Sequence, residues 1–466
     1  MLLSRSWKTH VFHRYQLFFS LPRYFSSRKI VNPDHQTKPY RDTCDQFKSS
    51  APRELPSRCD VVIIGGGGMG SSAAYFLKKK AGKSLDVVVI EKDCTYRKAS
   101  TALSSGCIRQ QFTIPQNIMM SRFTVEFLRL FKKDIDPDID PNLTCNGVLT
   151  LTNEEGAENM KKCAGLQKEL GVNVELLTAD ALKSKFPWIR TDAVALAAFG
   201  CVNEGWFDPW ALMMGLRRKA QSLGARYVEG EVTDFIFKST GGEYDAIDEV
   251  VFRTADSKQH GIKFNQCILA AGAYSGDIAR KAAIGTKSGL LSAPLSIEPR
   301  KRYVYVIKSQ GDNIPPLTAP LVIDTSKAYF RRDGTAGNFI CGRSPPKDNE
   351  PSTDNLDVDM DFFETNIWPQ LAYRIPAFES LKVVGSWAGF YEFNKFDCNG
   401  VLGKHPAYDN FYIMAGYSGH GIQKIPAVGR GIAELIVDGG FKTIDLSLLG
   451  FDRVVENKPL VELALV

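Results

Sequence analysis

Asp60-Val61-Val62-Ile63-Ile64 is a continuous apolar run, the pattern of a strand buried on both faces. It breaks into Gly65-Gly66-Gly67-Gly68-Met69-Gly70. From Ser71 to Lys80 the apolar positions Ala73, Ala74, Phe76 and Leu77 keep helical spacing, and Asp86-Val87-Val88-Val89-Ile90-Glu91 reads as a second buried strand. Together they predict a strand–helix–strand unit. Two later segments repeat the design of strand, glycine and helix. One is Cys267-Ile268-Leu269-Ala270-Ala271-Gly272, leading into a helix with Ile278 and Ala279. The other is Phe411-Tyr412-Ile413-Met414-Ala415, which runs through Gly416-Tyr417-Ser418-Gly419-His420-Gly421 into a helix over 427–437. Three such turns, the first at Gly65 and the last at Gly416, predict one parallel sheet assembled from distant pieces of chain.

The intervening segments then belong to a second domain. In Arg302-Tyr303-Val304-Tyr305-Val306-Ile307 the β-branched and aromatic alternation is that of antiparallel sheet. The predicted organisation is an α/β domain made of 58–110, 201–289 and 386–455. An α+β substrate or cap domain, mainly antiparallel, takes 111–200 and 290–385. Residues 26–57 read as a linker and 456–466 as a tail.

Charge changes the picture only at the N-terminus. The formal net charge of the 466 residues is +6. Residues 1–33 hold Arg5, Lys8, Arg14, Arg23, Arg28 and Lys29 without one acid, so these six leave 34–466 formally neutral. The body has no basic bias, which argues against nucleic acid as a partner. The leading stretch is basic, Ser-containing and aromatic, the composition of a mitochondrial transit peptide over 1–25. Arg23-Tyr24-Phe25-Ser26 resembles a matrix-protease cleavage pattern; a merely basic tail is the alternative. No run is long and apolar enough to span a bilayer, so membrane association is expected to be peripheral at most. The ten cysteines include no Cys-x-x-Cys pair, and beyond residue 35 the only histidines are His260, His405 and His420. No metal site is expected.

Gly65, Gly67 and Gly70 form G-x-G-x-x-G between strand and helix, with Glu91 ending the next strand. The first glycine makes a tight turn, the second admits a pyrophosphate, and the third lets helix and strand pack closely. The helix N-terminus, including the backbone of Met69, supplies N–H groups and dipole for phosphate charge. Glu91 can accept hydrogen bonds from ribose hydroxyls and would repel a 2′-phosphate. This is a Rossmann-like dinucleotide site; the motif alone does not separate FAD from NAD.

The hydroxyl-rich loop Ala99-Ser100-Thr101-Ala102-Leu103-Ser104-Ser105-Gly106 follows. With Gly230-Glu231-Val232, Ala271-Gly272-Ala273 and Gly416–Gly421, it stands in the order that resembles D-amino-acid-oxidase-like flavoproteins, including sarcosine oxidases and dehydrogenases. The resemblance covers about 58 to 450 and implies FAD. On it, Ser100, Thr101, Ser104, Gly106, Val232, Ala271, Gly272, Gly389, Gly416, Ser418, Gly419 and Gly421 join the glycine turn as cofactor-binding positions. No histidine lies in 99–112, and Gly389 stands where some relatives attach flavin through cysteine, so the FAD is expected to be non-covalent. Further stretches resemble a mitochondrial branch of this family that acts in assembling respiratory complex I. They are Ala99-Ser100-Thr101, Gly205-Trp206-Phe207-Asp208-Pro209-Trp210, 298–306 and Phe330-Arg331-Arg332-Asp333-Gly334. That likeness implies a matrix location, peripheral on the inner membrane at most, and complex I subunits or assembly intermediates as partners.

The same resemblance suggests catalytic positions. Arg109 falls where sarcosine oxidases bind substrate carboxylate, and Tyr391 where they place an aromatic wall beside the flavin. His420 is a candidate flavin or substrate contact, with satisfaction of backbone groups in the turn as the plain reading. Gln423 departs from the pattern, because relatives often carry a lysine there to hold the carboxylate. Lys424, one residue on, would point about 100° away on a helix. The departure puts N-methylglycine in doubt as substrate. It leaves two readings: an active amine or amino-acid dehydrogenase, or a flavoprotein acting as an assembly partner.

Overall fold

Val61, Val62 and Ile63 have no room for water on either side, as a run of consecutive apolar residues requires, and they form the centre of strand β1 (Arg58–Ile64). The computed structural model describes residues 55–464, so the expected transit peptide and nearly all of the expected linker lie outside it. After β1 the chain enters helix α1 (Gly68–Ala81) and returns as β2 (Val87–Glu91), parallel to β1. Helix α2 (Pro115–Arg129) follows much later, then β3 (Gln259–Leu269) on the other side of β1. Strands β4 (Ile297–Ser309) and β5 (Leu381–Asn394) form the long ribbon of a second sheet. Strand β6 (Phe411–Ala415) and helix α3 (Ile425–Asp438) then rejoin the first layer.

The main path of the first sheet runs Val401–Lys404, β6, β3, β1, β2 and Arg226–Glu229. Pairing is parallel from β6 to Arg226–Glu229, with a short antiparallel flap beyond β3. The three strand–glycine–helix segments therefore lie side by side, as their spacing predicted. Each brings a glycine-rich turn to the carboxyl end of the sheet, where open α/β sheets bind ligands.

The second sheet has the order β5, β4, Asn338–Gly342, Tyr329–Asp333, Leu321–Ile323, Val148–Thr152, Leu196–Gly200 and Val174–Leu177. All its pairings are antiparallel except that of Leu321–Ile323 with Val148–Thr152. Alternation along β4 sends Tyr303, Tyr305 and Ile307 into an aromatic core with Phe330, Phe339, Ile367 and Phe378. The opposite face carries Arg300 and Arg302, which pair in register with Tyr391 and Gly389.

Three expected boundaries move. Residues 386–394, assigned to the nucleotide domain, lie in β5, because this segment pairs with β4 along its whole length. Helix α2, assigned to the cap, puts Met120, Val125 and Leu128 into the core of the first domain beside α1. The expected tail is stitched into the fold as far as Ala464. Glu462 accepts hydrogen bonds from Thr113 and Ile114, and Arg109 donates to the Ala464 carbonyl.

Candidate active site

The glycine turn has the tolerances that its motif implies. Gly65 has φ +97°, and a Cβ there would sit 2.4 Å from the Ala270 carbonyl oxygen of the neighbouring strand. A Cβ on Gly70 would come within 1.8 Å of the Gly65 carbonyl, so helix and strand touch backbone to backbone. At Gly67 a Cβ would meet only Thr101 Oγ1, at 3.8 Å. The space kept open at Gly67 is toward a ligand. Helix α1 has no side-chain N-cap and no acid in its first turn, which leaves its positive end to an anion. Glu91 accepts the Gly66 N–H at 2.7 Å and the Asp93 N–H at 2.9 Å, which fixes its carboxylate at the rim of the turn. Ala271 and Gly272 follow β3 beside Gly65. Gly272 has φ +54°, and nothing lies near the direction of a side chain there.

The hydroxyl-rich loop is drawn onto this turn. Thr101 Oγ1 accepts the Gly68 N–H at 3.2 Å, and Ser104 Oγ accepts that of Gly106. Two of its carbonyls are held from the second sheet: Trp387 Nε1 donates to Leu103 at 2.9 Å and Arg331 Nε to Ser105 at 2.9 Å. Gly389 lies against the Leu103 side chain. Ser100 is half-buried in the same loop, whereas Val232 puts its side chain into the core behind the sheet.

The third turn is bound to β5. Ser418 N–H donates to the Glu392 carbonyl at 2.9 Å, and Ser418 Oγ accepts the Asn394 N–H at 2.9 Å. Gly416 and Gly419 have φ +89° and +88°, and a Cβ on Gly419 would lie 3.7 Å from the Tyr391 ring. Tyr391 and this turn are thus neighbours. Beyond Gly421 a 3₁₀ turn (Ile422–Lys424) leads into α3, so the helix opens earlier than its apolar pattern implied.

The expected polar groups around this turn point inward. Gln423 is buried, and its Oε1 accepts the Arg109 backbone N–H at 2.7 Å and the Ser121 hydroxyl at 3.3 Å. Arg109 is buried as well; its guanidinium stacks on Phe112 and donates to the carbonyls of Gln111 and Ala464. His420 has one ring nitrogen on the Cys398 carbonyl at 3.1 Å and the other on Lys424 Nζ at 2.5 Å. Burial, then the charges of Lys424 and Arg109, hold its pKa well below the usual range, so the imidazole is neutral. Lys424 has no exposed surface; its amine also contacts Asn117 Oδ1 at 2.5 Å. Burial drives its pKa far down, with Glu462 pulling the other way. Arg109, His420 and Gln423 are therefore brought together, but as a bracket under the turn. Lys424 joins the same bracket: its amine meets Asn117 and Gln423 meets Ser121, one turn apart on α2.

Sequence reasoning missed the groups that face the turn from the second sheet. Arg302 Nη2 donates to Tyr391 Oη at 3.0 Å with its guanidinium 4.7 Å over the ring, and Glu350 pairs with Arg302 at 2.7 Å and with Arg300 at 3.2 Å. The available signal was the charge in Glu298-Pro299-Arg300-Lys301-Arg302, unusual inside a strand otherwise rich in aromatics.

The site suits FAD. Its open Gly67 cradle, the uncapped helix, Glu91 and the Thr101 loop lie around one turn, and Gly389 offers no atom for covalent attachment. Residues 60–435 match the model of the family described as DAO, FAD dependent oxidoreductase. The chain is 48% identical over 424 residues to a Xenopus laevis protein named FAD-dependent oxidoreductase domain-containing protein 1, covering 87% of this chain and 85% of that one. A Drosophila melanogaster homologue of that protein is 43% identical over 458 residues, covering 96% and 88%. Among solved structures, L-proline dehydrogenase from P. horikoshii superposes with a TM-score of 0.73 at 27% identity, covering 87% of this chain and 100% of that one.

Proposed function

Because the chain belongs to the FAD dependent oxidoreductase family of amine-oxidising flavoproteins, with FAD held non-covalently, we infer that it serves in mitochondria in the assembly of respiratory complex I. When bound, the flavin supplies two-electron oxidation of a C–H bond next to nitrogen. The chain's own residues would hold the diphosphate at the N-terminus of α1, the ribose at Glu91 and the ring system near the Thr101 loop and the Gly416–Gly421 turn. The observation that carries the assembly reading is the inward commitment of Arg109 and Gln423. The groups that would anchor a small amino acid's carboxylate are instead bonded to Ala464, Gln111 and Ser121. The acid-free basic segment 1–33 supports the matrix location, and the partners are complex I subunits or assembly intermediates.

The test is add-back to cells lacking the protein, with assembled complex I read on native gels. Wild type restores the complex, and a Gly67→Val chain without FAD does not. Normal complex I in cells lacking the protein would sink the assembly role.

A second reading, an active secondary-amine or amino-acid dehydrogenase, is favoured by the Arg302–Tyr391 pair on the second sheet, whose tyrosine ring stands beside the Gly419 turn. Anaerobic bleaching of the flavin by one member of an amine and amino-acid panel is its expected sign. A flavin that the panel leaves oxidised would count against it.

A further inference from the structure

Glu392 stands on β5 between Tyr391 and Phe393, half-buried, with its carboxylate turned into the third glycine turn. Its Oε1 accepts the Tyr417 N–H at 3.2 Å and lies 3.3 Å from where a Cβ on Gly421 would stand. The carboxylate also takes the Gly416 N–H, and the Glu392 backbone carbonyl takes that of Ser418 at 2.9 Å. Its contacts thus run from the entry of the turn to its exit.

Among the described residues no cation pairs with it, because the charged side chains around it are committed elsewhere. On and beside β4, Glu298 pairs with Arg300 and Lys395, and Glu350 with Arg302. Past the turn, Lys424 contacts His420 and Asn117, and Asp397 pairs with Arg453 at 2.8 Å. The turn after β3 offers only Tyr274, which is exposed and meets Lys92. Of the titratable neighbours, His420 is neutral and burial keeps the Tyr417 phenol protonated. Loss of water around the Glu392 carboxyl pushes it up to about 7, against the bonds from Gly416 and Tyr417.

The same turn ends in a positive edge. The 3₁₀ turn Ile422–Lys424 has no side-chain cap and no acid in its first turn, so its opening N–H groups stay available to an anion. Gly421, which caps it, is the residue that Glu392 lies against. A second negative charge gathered at this edge meets the Glu392 charge across one residue of backbone. In such a pair the weaker acid relieves the repulsion by taking a proton.

We propose that Glu392 is a redox-linked proton site, ionised beside the oxidised cofactor and protonated from solvent when the cofactor is reduced. Two electrons and one proton reduce the bound flavin. A second proton forms the O–H bond of the Glu392 carboxyl, and reoxidation returns it to solvent. The electrons come from the amine of the second reading above, or from dithionite in the test. Glu392 acts through the turn and binds no substrate; its effect is a potential that follows pH more steeply than the flavin alone. The inference rests on the reading that the ring system lies near the Gly416–Gly421 turn.

The experiment measures the midpoint potential of the FAD-loaded full chain against reference dyes across about pH 6 to 9. One extra proton per two electrons makes the reduction equilibrium tenfold more sensitive to each pH unit, which is about 30 mV. Above about pH 7 the wild-type slope should exceed that of Glu392→Gln by this amount, since glutamine still accepts the Tyr417 N–H but cannot ionise. The reduced-minus-oxidised infrared spectrum of wild type should also gain a protonated carboxyl band that Glu392→Gln lacks. Equal slopes in the two chains overturn the proposal, including the case of a potential displaced equally at every pH, which a merely structural role would give. Absence of the band in wild type overturns it too, and decides the matter where Glu392→Gln does not fold. A flavin bound with the ordinary slope leaves the cofactor reading intact; a chain that holds no flavin overturns that reading and the proposal with it.

Discussion

Gly67 and Gly70 belong to one turn but answer to different neighbours. A methyl group on Gly70 collides with the Gly65 backbone, so Gly70→Ala should cost about 1–3 kcal/mol of stability and lower the melting temperature even without cofactor. Gly67 has ordinary backbone angles, and its open side faces the ligand, so Gly67→Ala should leave the apoprotein's melting temperature unchanged while weakening FAD about tenfold or more. Calorimetry of both apoproteins with FAD titration separates the two. Glu204 makes a pH prediction. It is fully buried, accepting from the Gln110 N–H and the Gln111 amide, and burial pushes its carboxyl up to about 7 against those bonds. A carboxyl raised in the folded state favours folding below its unfolded value and loses that contribution as pH rises through 7. Between about pH 4.5 and 7 the loss amounts to about 3 kcal/mol. Glu204→Gln should therefore gain stability relative to wild type between pH 5 and pH 8, read from thermal melts. A difference that stays flat across that range would refute the assignment.

At the scale of elements, helix α2 and the segment Leu460–Ala464 depend on each other. The N-terminus of α2 has no side-chain cap of its own, and Pro115 occupies its first position. Glu462 serves instead, accepting from the Thr113 and Ile114 N–H groups, the Thr113 hydroxyl and Asn117 Nδ2. Asn117 in turn holds Lys424. Glu462→Ala should cost about 3 kcal/mol, because it strips several buried donors of their acceptor and Lys424 of a nearby carboxylate. The shift in urea midpoint measures it; a loss under about 0.5 kcal/mol, that of an ordinary surface change, would mean that the segment is only loosely laid on. Nothing in the local sequence marks this role, since a short polar and apolar stretch near the end of a chain reads as a tail. The capping partner is over three hundred positions away.

For the whole molecule, the second sheet braces the cofactor loop of the first domain. Trp387 and Arg331 take the carbonyls of Leu103 and Ser105, while the Thr101 hydroxyl accepts the Gly68 N–H. Trp387→Phe removes one such bond while keeping the ring, a change of about 1 kcal/mol. FAD should then dissociate about fivefold faster with the melting temperature little altered, as followed by stopped-flow flavin fluorescence. An unchanged release rate would show that the brace is idle. This coupling also explains the displaced boundary at 386. The strand carrying Trp387, Gly389 and Tyr391 lies against the Leu103 loop and the Gly419 turn of the first domain, yet its backbone pairs with β4.

What the amino-acid sequence determined by itself was local and periodic. Buried runs specify strands, their breaks into glycine specify turns, and G-x-G-x-x-G followed by Glu91 specifies a dinucleotide cradle, because each depends on residues within one strand–helix–strand unit. The parallel sheet of distant pieces was legible for the same reason, since three segments shared one pattern. Only the tertiary structure decided which way the long polar side chains turn. Arg109, His420 and Gln423 face a buried bracket closed by Lys424 and Glu462, and Arg302 faces Tyr391. A long side chain takes whichever partners the packed elements bring within hydrogen-bond reach, and those partners here come from remote positions that no local spacing encodes.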